Sequence, residues 1–133
     1  MSDDLPYVRE RIADYREYEE QDARNDSDLR VRAFVGSRLT AARTRLADSL
    51  DEPTTKALDD VLLRCMFSDQ VFVRKFEHAL LDTSMVAALI RSDRKLLELA
   101  QRVDGIGTSE LKEVVIEIDK EFEYRRAPDP VTP

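Results

Sequence analysis

The sequence predicts an all-α protein: a single bundle of four to five antiparallel helices with short connections over residues 1–126, followed by a flexible C-terminal tail over residues 127–133. Three observations lead there. Apolar residues recur at steps of three and four almost throughout the 133 residues, the spacing that lines one face of a helix. Only three glycines occur, Gly36, Gly105 and Gly107, and prolines are confined to position 53 and the two ends. Turns are therefore few and the elements between them long. Hydrophobic residues make up 42% and charged residues 37% of the chain, which supplies a core under a densely charged surface.

The first helix is expected from Leu5, with Leu5, Val8, Ile12 and Tyr15 on one face and Pro6 in the first turn, where its missing N–H is no loss. Asn25, Asp26, Ser27 and Asp28 offer N-cap side chains and divide it from the next helix; one continuous helix over residues 5–50 is the alternative. The second helix carries Val31, Val35, Leu39, Ala42, Leu46 and Leu50, flanked by Arg32 and Arg43 on one side and Arg38 and Arg45 on the other. Carboxylates of residues 10–28 on a neighbouring helix are the expected partners of these arginines. The sequence Asp51-Glu52-Pro53-Thr54 ends this helix and opens the third.

The third helix is expected over residues 54–80, with a seam of Leu58, Leu62, Cys65, Asp69, Phe72, Phe76 and Ala79. A second apolar row, Met66, Val73 and Leu80, runs beside it. Two adjacent rows are wider than one neighbouring helix covers, so this face is either monomer core or dimer interface. Asp82-Thr83-Ser84 caps the fourth helix, whose face holds Val86, Leu89, Ile90, Leu97, Ala100 and Val103 and which stops at Gly105. The fifth starts at Thr108 or Ser109 and presents Leu111, Val114, Val115, Ile118 and Phe122. Its β-branched run at 114–118 admits a strand as the alternative.

Charge bears on function. The chain holds 21 basic and 28 acidic side chains, a net −7, which repels a phosphate backbone and weighs against general nucleic-acid binding. Residues 1–28 alone carry a net −6 and residues 29–50 a net +4. Sixteen of the cations are arginines, suited to bidentate pairing with carboxylates between helices. One cysteine cannot form an internal disulfide, and a reducing, cytoplasmic compartment is expected. No apolar run reaches the roughly 20 residues that cross a bilayer, and Met-Ser-Asp-Asp lacks the order of a signal peptide.

No catalytic set is visible, and the expectation is a non-enzyme with no metal and no cofactor. His78 is the sole histidine; the residue three before it is Lys75, which breaks the Glu-x-x-His pattern of a di-iron bundle. The pair His78 and Asp82 reads as a surface contact. Cys65 lies about 20 Å along the same helix from His78, too far for a Cys–His couple, and reads as a small core residue. Asp69 interrupts the apolar seam, where an unpaired carboxylate is costly, so it reads as a paired structural contact at a helix or dimer interface.

The stretch Val103-Asp104-Gly105-Ile106-Gly107-Thr108-Ser109 joins two helices through Gly-hydrophobic-Gly. With Leu97 and Val114, the residues Gly105, Ile106 and Gly107 resemble the hairpin of the helix-hairpin-helix DNA-binding family over about residues 97–115. That resemblance implies backbone N–H groups approaching a DNA phosphate. Asp104, Glu110 and Glu113 surround the turn, with Lys112 the only nearby cation, and helix capping by Gly105 with Ile106 as an apolar staple accounts for the same residues.

The expected function is a non-enzymatic helical protein–protein interaction or regulatory module, homodimeric through Cys65, Met66, Asp69, Phe72, Val73 and Phe76. A second class is an acidic antagonist, of immunity or DNA-mimic type, that covers a basic partner with Tyr15, Tyr18, Glu19 and Glu20, since tyrosine is common at interfaces. The third is a DNA-backbone binder acting through the 105–107 turn.

Overall fold

A computed structural model describes residues 3–16, 18, 24–66 and 81–126. All regular structure among these residues is helical: α1 (Asp4–Arg11), α2 (Arg24–Arg45), α3 (Glu52–Met66), α4 (Thr83–Arg102) and α5 (Thr108–Arg126). Helix α2 packs on α3 and α4, and α5 packs on α4 and α3, while α1 lies against α4. The four longer helices thus close a ring around one core. Short connections make α2/α3 and α4/α5 antiparallel hairpins, as the pairs Arg43–Asp59 at 3.0 Å and Arg102–Glu117 at 3.5 Å confirm. The hairpins sit side by side, so α2 runs parallel to α4 and α3 parallel to α5.

The core is the sum of the inward faces. Val31, Val35 and Leu39 come from α2, Leu58, Val61 and Cys65 from α3, Leu96, Leu97 and Ala100 from α4, and Leu111, Val114, Ile118 and Phe122 from α5. Residues 114–118 are helical. The three-and-four spacing of that segment buries Leu111, Val114, Val115, Ile118 and Phe122 together, and this packing overrides the β preference of single residues.

Caps follow the sequence closely at two helix starts. The Asp51 carboxylate accepts from the Thr54 amide at 2.7 Å, and Asp82 Oδ1 accepts from the Met85 amide at 2.9 Å and the Ser84 hydroxyl at 2.7 Å. These bonds, the hydroxyls of Thr54 and Ser84 foremost, hold both carboxyls below the usual aspartate value. Beyond α4, Gly105 adopts φ +82°, a conformation that side chains with a Cβ avoid.

Residues 5–50 form two helices, but the boundary differs from expectation. Helix α1 stops at Arg11, and the chain turns at Asp14, whose φ is +61°. Ile12, Tyr15 and Tyr18 reach the core from a non-helical strap. The physical reason is that α2 starts at Arg24 and its first turns satisfy the strap's backbone. Arg24 Nε donates to the Tyr18 carbonyl at 2.7 Å, Ser27 Oγ to the Arg16 carbonyl at 2.7 Å, and Arg30 Nη1 to the Ala13 carbonyl at 3.2 Å. Asn25 to Asp28 lie inside α2 rather than capping it. Of the third helix expected over residues 54–80, the part beyond Met66 lies outside the described residues, as does the tail at 127–133.

The flanking arginines of α2 also find different partners. Arg38 pairs with Asp104, Arg43 with Asp59 and Arg32 with Asp28 on its own helix. Arg45 donates to the carbonyls of Ile106 at 3.0 Å and Val103 at 3.1 Å. Because α2 lies beside α4 and α3, Arg38, Arg43 and Arg45 meet the α4–α5 turn and α3. Of the four, only Arg32 takes a carboxylate of residues 10–28, Asp28 on its own helix rather than a neighbouring one.

Candidate functional site

Two features stand out at the end of the bundle where α2 begins and α3 and α5 finish. The first is a buried ionic cluster. Arg125 of α5 is fully enclosed; its Nη1 donates to Asp28 Oδ1 of α2 at 2.6 Å, its Nη2 pairs with Asp93 of α4, and its Nε donates to Ser92 Oγ at 3.0 Å. Ser92 Oγ in turn donates to Glu121 Oε2 at 2.6 Å. Asp28 also accepts from Arg32 Nε at 2.8 Å, and Arg32 Nη1 donates to the Arg64 carbonyl of α3 at 2.7 Å. The Arg32 guanidinium stacks on the Phe122 ring, 4.7 Å from its centroid. Asp93 Oδ2 accepts both the Tyr15 and the Tyr18 hydroxyl, each at 2.6 Å.

Asp28, Asp93, Arg32 and Arg125 are all fully buried, so two negative and two positive charges balance in the interior. Burial drives the Tyr18 hydroxyl well above its ordinary pKa of 10.0, against the opposing pull of Arg125. The cluster ties α2, α3, α4, α5 and the strap into one arrangement. Moving α2, α4 or α5 along its axis would strand a charge, which gives the cluster a register-setting role for these helices.

The second feature is a groove of about 810 Å³ on the outside, between α2 and α3. Leu29, Ala33, Gly36, Ser37, Thr40 and Ala41 of α2 line it, with Leu62, Cys65 and Met66 of α3 opposite. Among the described residues the one charged side chain in its wall, Arg32, is itself buried. In a chain with 37% charged residues, a strip whose described lining holds a single charged side chain is distinctive. Gly36 brings the helices together at its base, since a Cβ there would lie 3.2 Å from Cys65 Cβ. Met66 of the groove wall is 69% exposed, and Leu63, next to the lining residue Leu62 in the chain, is 54% exposed. Two large apolar side chains therefore stand in water next to a recess with small residues along one wall.

The structure brings together only part of what the sequence nominated. Cys65 and Met66 meet in the groove wall; Asp69, Phe72, Val73 and Phe76 lie outside the described residues, as does His78. Burial pushes the Cys65 thiol up to about 12, against the opposing pull of Arg32, which holds it as the neutral thiol rather than the thiolate at neutral pH. Among the described residues no group of three His, Cys, Asp or Glu side chains is placed to hold a metal, and no helix is long and apolar enough to cross a membrane.

Tyr15 and Tyr18 require a correction as partner-facing residues. They are 5% and 0% exposed, because the buried Asp93 carboxylate draws both hydroxyls inward; Glu19 and Glu20 lie outside the described residues. The turn of Gly105, Ile106 and Gly107 is engaged within the chain, Arg45 on its carbonyls and Arg38 on Asp104. The sequence did not single out Ser92, Asp93 and Arg125, and it offered Asp28 as a helix cap and arginine partner rather than as part of a buried cluster. Their signal was present: Asp93 falls between Ile90 and Leu97 on the apolar face of α4, and Arg125 continues the face of Ile118 and Phe122. With this geometry in place, comparison with known proteins adds no relative, since no family model, no curated protein and no solved structure matches the chain.

Proposed function

We propose that this chain is a non-enzymatic helical interaction module that works by protein–protein contact, and that a second copy of itself docks on the α2–α3 groove. The observation that carries the reading is the mainly apolar recess, with Met66 exposed in its wall and Leu63 exposed on the same helix. One surface that offers both a recess and projecting apolar groups suits an isologous two-fold contact, in which each copy's projections enter the other's recess. Removing that apolar surface from water supplies the driving force. The ionic cluster supports the reading indirectly, by holding α2 and α3 at a fixed offset so that the groove keeps its shape.

A cytoplasmic, reducing setting goes with this reading, because the single thiol lies buried at the groove. DNA-backbone binding draws less support, since the cations that α2 brings to the 105–107 turn, Arg38 and Arg45, are paired with Asp104 and with the Val103 and Ile106 carbonyls. The acidic-antagonist reading loses the two tyrosines on which it drew.

The test is Thr40→Arg, which places a charge on the exposed α2 wall of the groove without touching the core. Sedimentation should show self-association lost while circular dichroism shows unchanged helix content. Association at wild-type strength in this variant would refute the groove as the contact surface.

A further inference from the structure

We draw no further inference here: the strongest candidate, the Arg32 guanidinium in the wall of the α2–α3 groove, leaves its Nη2 without a hydrogen-bond partner but is fully covered and stacked on Phe122, and it belongs to the surface already described, with nothing in the structure to show which group would reach it.

Discussion

Arg125 is the residue on which most of the buried polar chemistry converges. Its removal leaves Asp28 and Asp93 enclosed with less compensation, so Arg125→Ala should lower stability by about 3–5 kcal/mol. A urea transition measured against the wild type reads this directly, and a change below 1 kcal/mol would show that the cluster is solvated. Tyr18 and Cys65 supply a pH dependence. Both have folded pKa values raised above their ordinary 10.0 and 9.0, so the stability they contribute is fully present below those ordinary values. It is lost as pH rises toward the folded values, because the unfolded chain ionises first. The urea midpoint should fall between about pH 9 and pH 12, and Tyr18 should stay protonated until the chain unfolds. Sequence reasoning reached Cys65 as a core thiol but passed over Asp93. The argument that isolated Asp69 in an apolar seam applies equally to Asp93, which sits at a core-facing position of α4. Its two tyrosine donors come from a segment in which the chain has left the helix after Arg11, so no helical spacing rule could have paired them.

Helix α1 and the strap behind it show how far periodicity carries. Leu5, Val8, Ile12 and Tyr15 read as one helical face, and Val8, Ile12 and Tyr15 are indeed buried. The backbone nevertheless leaves the helix at Arg11, because α2 side chains satisfy the strap's carbonyls and remove the need for helical bonds. Longer elements were legible because apolar spacing and caps agreed: α4 begins beside Asp82, and α5 keeps its helix through the β-branched run. The α3 boundary at Glu52 followed from Asp51 and Pro53 for the same reason. The N-terminal arm, α1 with the strap behind it, has the least apolar support, Val8 being the one buried residue of α1 itself. It packs on α4 and is held by polar bonds that include Tyr7 to Gln101 at 3.3 Å and Arg94 to Asp4 at 3.2 Å. Replacing Tyr15 and Tyr18 together by Phe leaves Asp93 Oδ2 without its two donors and should cost about 1–3 kcal/mol. Amide hydrogen exchange should quicken across residues 4–16 well before residues 96–100 of α4. Uniform acceleration over the chain would mean that the arm and the bundle unfold as one unit.

For the molecule as a unit, fold class was plain in the sequence because nearly every segment repeats one period. Helix order around the ring was not. Nothing in the sequence places α2 beside α4, and the partners of Arg38 and Arg45 were misassigned for that reason. Net charge of −7 and the engaged 105–107 turn together imply no salt-dependent affinity for duplex DNA at physiological ionic strength. A titration of labelled duplex followed by fluorescence anisotropy should stay flat, and a Kd of low micromolar or tighter that weakens with salt would reverse this ranking. The central claim is self-association through the α2–α3 groove. Multi-angle light scattering on the full chain at micromolar concentration should give about twice the 15.3 kDa chain mass. A mass of one chain across that concentration range would contradict it.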